Sequence, residues 1–217
     1  MAGITAEQVR QLRERTGAGM LDCKKALEEG GGSLDQAVEV LRKKGLKDIS
    51  KRAGKVAAEG SIGIYVHPGE QVVSVVELNC ETDFVARNEE FRQLAKDLAL
   101  HVAAMKPLYL TPEEVPPEVI EKEKEILLAQ LNEQQRAKAD KILPGKIEKY
   151  MEDAVLLNQI FVKDDSGKMT VRTLVDQMSI KCGEKVGIRR FQRFEVGEGI
   201  QKKQSNLAEE VASMVQA

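Results

Sequence analysis

The spacing of hydrophobic residues over roughly the first 45 positions is that of helices. Thr5–Gln8 and Ser33–Gln36 both match the capping-box pattern that opens a helix. The glycines at 30–32 end the second helix, and Gly45 suits the C-terminal cap of a third. The pattern therefore predicts three short helices packed as a small bundle. Their apolar stripes comprise Val9 and Leu12, then Met20, Cys23 and Leu27, then Leu34, Ala37, Val38 and Leu41.

Alternation of hydrophobic and other residues with a period of two begins after the bundle. Isoleucine and valine alternate with other residues over 62–66, a Pro-Gly turn follows, and a Val-rich run extends over 72–80. This order predicts a β-hairpin whose second strand is the more buried one. A further strand-like segment spans 184–197. Within it Phe191 is out of phase with Phe194, which indicates either a bulge or a strand with two apolar faces.

The segments between the hairpin and the last strand carry helical patterns. The first of these helices begins at the cap residue Asn88. Residues 118–139 are so rich in charge that they predict an exposed helix or helical hairpin, which the Leu-Pro-Gly at 143–145 breaks. Thr170 caps a later helix, and the amphipathic pattern of residues 205–217 predicts a tail helix.

Together these elements predict an α+β protein, with an N-terminal three-helix bundle followed by an antiparallel-sheet core with flanking helices. We assign residues 1–50 to the bundle, 51–60 to a linker, and 61–200 to the core. The core includes the exposed helical region 112–158, and residues 201–217 form the tail helix.

Composition and charge narrow the function classes. The chain has 217 residues, of which 42% are hydrophobic and 31% charged, which is typical of a globular protein. Residues 1–60 carry 12 Lys or Arg against 9 Asp or Glu, and this excess is too small to predict nucleic-acid binding. No run approaches the roughly 18 apolar residues that span a membrane, and the N-terminus does not resemble a signal peptide. We expect a cytoplasmic protein.

Residue types that carry catalysis or bind metals are sparse. Cys23, Cys80 and Cys182 are far apart and match neither a disulfide framework nor a zinc site. His101 lies beside an apolar helical stripe, which is typical of a satisfied, partly buried histidine. The Gly-Ala-Gly at 17–19 follows a helix, so a tight turn fits it better than a phosphate-binding loop. We expect no catalytic residue, no metal and no cofactor, and therefore a binding protein rather than an enzyme.

The connection between the hairpin and the next helix has unusual contents. The segment 82–88 lacks Gly and Pro, the common turn formers, and places Phe84 between Asp83 and Val85. One interpretation is that Phe84 and Val85 tuck under the sheet while Asp83 caps the helix, because large apolar residues are usually inside. The other is that Asp83 and Phe84 form an exposed wedge directed at a partner.

Three segments of the chain resemble signatures of the translation elongation factor Ts family. They are LRERTGAGMLDCKKAL at 12–27, CETDFVARN at 80–88 and RFEVGEGI at 193–200, in the same order as in the family. The resemblance implies a ubiquitin-associated-like N-terminal bundle that binds elongation factor Tu. It also implies that the protein acts as a guanine nucleotide exchange factor without a cofactor or covalent chemistry.

The resemblance also implies the contact residues. The family's wedge motif matches Thr82, Asp83, Phe84 and Val85. Phe84 would insert between helices of GDP-bound elongation factor Tu, dislodge Mg²⁺ and promote GDP release, which leaves the partner nucleotide-free. Contacts from the bundle surface are expected as well, although Met20 suits the bundle core at least equally well. These additional residues are Arg13, Met20, Lys24 and Lys25.

The core resembles the short form of the family, because only one hairpin-plus-helix unit precedes the closing strand. Short members pair through their cores, so the resemblance implies a homodimer that binds two partners, with no direct nucleic-acid contact. Two alternatives come from other function classes. One is an RNA- or ribosome-associated module that uses the bundle's basic residues, and a salt-dependent shift of labelled RNA would support it. The other is a hydrolase whose site is assembled by folding.

Overall fold

The computed structural model describes residues 4–16 and 18–200, without the side chains of residues 46 and 47. The predicted tail helix at 201–217 and one glycine of the 17–19 turn lie outside the described residues. Within these limits the predicted α+β class is confirmed, because helices come first and a three-stranded antiparallel sheet with flanking helices follows.

The first helices are α1 (Ala6–Thr16), α2 (Met20–Glu29) and α3 (Leu34–Arg52). The Thr5–Gln8 capping box is present, since each residue accepts a hydrogen bond from the backbone N–H of the other. Ser33 caps α3 by accepting a bond from the N–H of Gln36. The three helices enclose a small hydrophobic cluster formed by Val9, Leu12, Cys23, Ala26, Leu27, Ala37 and Leu41.

The prediction that Gly45 ends the third helix is wrong. Helix α3 continues through Gly45 to Arg52, so it is longer than the short helix that was expected. A Cβ added at Gly45 would lie 2.5 Å from Cδ1 of Ile180, on a later helix. The glycine therefore permits a close approach between helices, which a pattern of one segment does not reveal.

The sheet consists of β1 (Glu59–Val66), β2 (Val72–Cys80) and β3 (Gly187–Glu195), in the spatial order β1-β2-β3 with both pairs antiparallel. Helix α5 (Glu89–Met105) covers one face of this sheet, with a single-turn helix α4 (Asp83–Ala86) before it. We call the covered face the inner face and the other the outer face. The main core lies between α5, the inner face and α9 (Val171–Cys182). Its largest buried side chains are Val76, Leu78, Phe91, Leu98, Val102, Leu156 and Val171.

A register shift in the pairing of β2 with β3 explains the phase of the last strand. The shift falls between Glu77 and Leu78, which pair with Arg190 and Ile188, so one residue of β3 is extra. Because of this bulge, Ile188 and Phe191 both pack against the core although they are three residues apart. Phe194 lies on the outer face and is exposed. Both sequence interpretations are therefore correct in part, since the strand has a bulge and two apolar faces.

The region between α5 and α9 contains α6 (Pro117–Ala129), α7 (Glu133–Arg136) and α8 (Ala139–Ala154). The predicted break at 143–145 is wrong, because Pro144 lies inside α8. The chain breaks earlier, at Asn132, which forms a capping box with Gln135 at the start of α7. A reciprocal pair of capping bonds stabilises that start. Pro144 is the sixth residue of α8, so it removes one backbone hydrogen bond from the helix without ending it.

Candidate partner-binding site

The segment that joins β2 to α5 projects from one end of the sheet. Strand β2 ends at Cys80, the backbone of Thr82 is extended, and residues 83–86 form the single turn α4. The chain then reverses at Asn88, whose side chain accepts a 2.8 Å hydrogen bond from the N–H of Glu90 and caps α5. We call Thr82–Val85 the wedge turn. Its two ends are therefore held by a strand and by a long helix.

The wedge turn combines features of the two sequence interpretations. Phe84 is 82% exposed, so the interpretation that it tucks under the sheet is wrong. Val85 packs against the main core, as that interpretation expected. Asp83 does not cap α5; it pairs instead with Arg87, with 3.0 Å between its Oδ2 and Nη2 of the arginine. On one helical turn these neighbours point in different directions, so one side chain anchors the turn while another reaches solvent.

A carboxylate that sequence reasoning missed supports this turn. Glu184 follows α9, and one of its oxygens accepts hydrogen bonds from the N–H groups of Glu81 at 3.1 Å and Thr82 at 3.0 Å. Its other oxygen accepts a 2.6 Å bond from the hydroxyl of Thr82. Glu184 lies 102 residues from Thr82 along the chain, so no local pattern could have indicated the contact.

A second carboxylate makes the arrangement reciprocal. Glu81 accepts a 2.6 Å hydrogen bond from the N–H of Lys185 and a 2.7 Å bond from the ammonium group of Lys55. The Lys55 ammonium first, and the Lys185 N–H second, hold the pKa of Glu81 below its ordinary value, so the carboxylate is ionised at neutral pH. The ammonium group of Lys185 in turn donates to the carbonyls of Ala53 and Lys55, just after α3.

The surface of α1 and α2 carries the other predicted contact residues. Arg13, Lys24 and Lys25 are exposed, and Met20 is exposed rather than part of the small core that was the alternative for it. Leu21, which sequence reasoning did not single out, is 75% exposed beside Met20. Two adjacent exposed apolar side chains flanked by lysines are suited to contact another macromolecule.

Comparison with known proteins decides the family. A family model described as elongation factor TS matches residues 19–198, which is most of the chain. The chain belongs to the elongation factor Ts family. The resemblance seen in the three sequence segments is therefore confirmed. Membership makes the protein an elongation factor of protein synthesis and implies elongation factor Tu as its partner.

Individual members of the family align over essentially their full lengths. Elongation factor Ts of Desulforamulus reducens is 52% identical over 219 residues, which cover 100% of both chains. The protein of Carboxydothermus hydrogenoformans is 50% identical over 97% of each chain. That of Acetivibrio thermocellus is 50% identical over 98% of this chain and 99% of its own. These relatives therefore have about the same length as this chain, as expected for the short form of the family.

The cysteines, which are the other potentially reactive side chains, have surroundings that suit a structural role. Cys80 is buried under the wedge turn, and burial raises the pKa of its thiol to about 11, so it is protonated and unreactive at neutral pH. All three cysteines are free thiols. In residues 4–16 and 18–200, no group of three or more His, Cys, Asp or Glu side chains could hold a metal ion. None of the helices described there is long and apolar enough to cross a membrane.

Proposed function

We propose that the protein is a guanine nucleotide exchange factor for elongation factor Tu and that Phe84 is the residue that opens the nucleotide site. The observation that carries this proposal concerns the side chain of Phe84, which is 82% exposed. The neighbouring Val85 is anchored in the main core. Burying such a side chain is worth about 1.5–3 kcal/mol. That free energy is gained only when Phe84 enters an apolar gap in a partner.

The proposed mechanism is a coupling of two binding equilibria. When Phe84 inserts between helices of the partner's GTP-binding domain, the elements that hold Mg²⁺ against GDP are displaced. Mg²⁺ requires near-ideal octahedral geometry, so a small displacement of its ligands weakens its binding. The exchange factor and the nucleotide then weaken each other's affinity for elongation factor Tu to the same extent. No covalent bond has to form or break.

The other residues of the wedge turn have supporting roles in this mechanism. Asp83 is half exposed beside Phe84 and would make polar contacts at the rim of the gap. Val85 fixes the turn to the main core, and Thr82 connects it to Glu184. Arg13, Met20, Lys24 and Lys25 would bind a second surface of elongation factor Tu, which adds affinity away from the nucleotide site.

Release of a fluorescent GDP from elongation factor Tu, followed by stopped flow, tests the proposal. The variant Phe84→Ala should slow release by at least about tenfold, which corresponds to the loss of one buried aromatic contact. Its unfolding midpoint should not change, because the side chain is exposed. Leu108→Ala, which removes another exposed side chain, is the matched control and should release GDP at the normal rate. An unchanged rate for Phe84→Ala would refute the proposed role of this residue.

We also propose that two copies of the chain pair through the outer face of the sheet. Within residues 4–16 and 18–200 no element packs over this face, and most of its exposed side chains other than Arg190 and Gln192 are apolar. Its exposed apolar side chains are Ile62, Ile64 and Val66 of β1, Phe194 of β3 and Val196 just after it. Exposed β-branched and aromatic residues on one face of a small sheet are typical of a surface that a second sheet covers. A second copy supplies an identical face.

Light scattering at micromolar concentration tests the dimer. The protein should have twice the mass of one chain, and Ile64→Glu should reduce the mass to that of the monomer because it would place a charge at the centre of the interface. Val56→Glu changes a similarly exposed residue before β1 and should leave the dimer intact. A monomeric mass for the unaltered protein would refute the proposal.

A further inference from the structure

We propose that Glu81 and Glu184 form a reciprocal carboxylate clasp that sets the orientation of the wedge turn, and that Glu184 is a positioning residue for nucleotide release. The inference rests on the proposed exchange function for its consequence, but not for its geometry. The clasp consists of Glu81, Glu184 and Lys185, with Lys55 as the link to α3.

The wedge turn needs an external support. Helix α4 has only four residues, and a helix of that length is not stable by itself. Thr82 occupies its N-cap position but makes no side-chain capping bond to it. The threonine hydroxyl is directed to Glu184 instead, at 2.6 Å. Glu184 therefore adds an anchor from outside α4 to the one that Val85 makes with the main core.

Glu184 can provide this support because its own position is well defined. Gly183 ends α9 with a left-handed backbone, φ 71°, which turns the chain toward β3 immediately before Glu184. A few residues later Gly187 pairs with Asn79 of β2. The two turns thus lie side by side at the same end of the β2–β3 pair. Each carboxylate accepts hydrogen bonds from the backbone of the other turn, and charge-assisted bonds of this kind are stronger than neutral ones.

The clasp also connects the wedge turn to the N-terminal helices. Lys55 donates to Glu81, and Lys185 donates to the carbonyls of Ala53 and Lys55. A guanidinium N–H of Arg52, the last residue of α3, donates to the carbonyl of Ser179 on α9. The end of α3 and the wedge turn therefore share one set of hydrogen bonds. A partner that binds α2 and the wedge turn together would find these two surfaces already oriented, which reduces the entropy lost on binding.

The inference has a first test in the free protein, which is independent of any exchange activity. Hydrogen exchange at the amides of Glu81 and Thr82 should become faster in Glu184→Ala, because both N–H groups lose their acceptor. In Glu184→Gln one acceptor oxygen remains, so exchange at these amides should be intermediate. Glu114→Ala is the matched control, since Glu114 also accepts a bond from a backbone N–H, that of Leu110, away from the wedge turn. Unchanged exchange at both amides in Glu184→Ala would overturn the proposal.

A second test shows whether Glu184 acts through Phe84. Glu184→Ala should slow GDP release from elongation factor Tu by about tenfold, the value of one charge-assisted hydrogen bond, and Glu184→Gln should recover part of the rate. In the Phe84→Ala background the same substitution should have no further effect. An equal loss in both backgrounds would overturn the positioning role, because the effect would then bypass the wedge turn.

The two proposals fail in distinguishable ways. If Phe84→Ala releases GDP normally, the proposed function of the wedge turn fails, while the amide exchange data still decide whether the clasp exists. If Phe84→Ala is slow but Glu184→Ala is as fast as the unaltered protein with an unchanged melting temperature, the clasp inference fails alone.

Discussion

The helical cluster of α1–α3 and the wedge turn both present a large apolar side chain to solvent, but they support it differently. Leu21 lies on the ten-residue helix α2, which packs on the small hydrophobic core between α1, α2 and α3. Around it the helices are joined by exposed ion pairs such as Arg15–Asp35 at 3.2 Å. Phe84 lies on a turn of four residues that is anchored below by the main core and at its side by Glu184.

This difference indicates a division of roles between the two surfaces. Exposed ion pairs contribute about 0–1 kcal/mol each, so the helical cluster depends mainly on its small hydrophobic core for stability. The wedge turn is bonded through Thr82 to Glu184, which is 102 residues away, and is packed on the main core through Val85, so it resists displacement. We infer that the helical cluster supplies affinity, whereas the wedge turn must stay rigid if insertion is to deform the partner rather than the factor itself.

Removal of a core side chain from each region should give the largest effects and test whether the two regions unfold separately. Leu27→Ala should destabilise the helical cluster by about 2–5 kcal/mol, because it leaves a cavity where Leu27 is fully buried. Hydrogen exchange should become faster in α1 and α2 while α5 remains protected. Leu21→Ala, an exposed leucine on the same helix, should change neither. If α5 also lost its protection from hydrogen exchange in Leu27→Ala, the two regions would unfold as one cooperative unit.

A substitution in the sheet core should instead speed hydrogen exchange in the core and not in α1 and α2. Gly63 lies on the inner face of β1, and a Cβ there would overlap the carbonyl oxygen of Ala95 on α5. Gly63→Ala should therefore destabilise the core by about 1–3 kcal/mol or more, with faster exchange in α5 and β1. Gly54→Ala is the control, because a Cβ at Gly54 meets nothing within 4 Å. Equal melting temperatures for the two variants would contradict this account of the packing.

The exposed surface of the helical cluster should affect affinity rather than the rate of release. Leu21→Ser should weaken binding to elongation factor Tu by about three- to tenfold, as expected for the loss of one partly buried apolar contact. At saturating factor the rate of GDP release should remain normal. Calorimetry and stopped flow measure the two quantities. A slower release at saturation would mean that the helical cluster takes part in opening the nucleotide site.

The smallest effect concerns acid sensitivity of the main core. His101 is fully buried, its Nε2–H donates to Gln159 at 2.9 Å, and its Nδ1 accepts from the N–H of Val162 at 3.1 Å. Burial lowers the pKa of His101, and the Gln159 hydrogen bond opposes this only in part. The neutral ring therefore contributes stability that is fully present above about pH 6.5, the unfolded pKa, and is lost as the pH falls toward the lower folded value.

Urea unfolding between pH 7.5 and pH 5.5 measures this contribution. The unfolding midpoint should fall on acidification in the unaltered protein and fall less in His101→Gln. The exposed turn residue His67 provides the control, and His67→Gln should retain the full dependence. Identical pH dependence in all three proteins would assign the acid sensitivity to other groups.

Local sequence patterns predicted much of the fold because many boundaries depend on bonds between residues a few positions apart. Thr5 with Gln8, Asn88 with Glu90, and Thr170 with Thr173 at the start of α9 are examples. The same patterns failed at Gly45 and Pro144, where a close helix contact and an earlier capping box decided the outcome. The alternating pattern located β1 but did not show which of its faces is covered. Ile64 faces outward because Gly63 occupies the inner face, where the absence of a side chain lets α5 approach.

By itself the sequence determined the α+β class, most helix starts, the strand pairing of the hairpin and the family to which the chain belongs. It also located the wedge turn, because a short connector without Gly or Pro is a local feature. Only the tertiary structure decided that Phe84 is exposed while Val85 is anchored, and that Glu184 holds the turn. The physical reason is separation along the chain: hydrogen bonds between residues 102 positions apart depend on how the strands and helices pack, and no local periodicity encodes that packing.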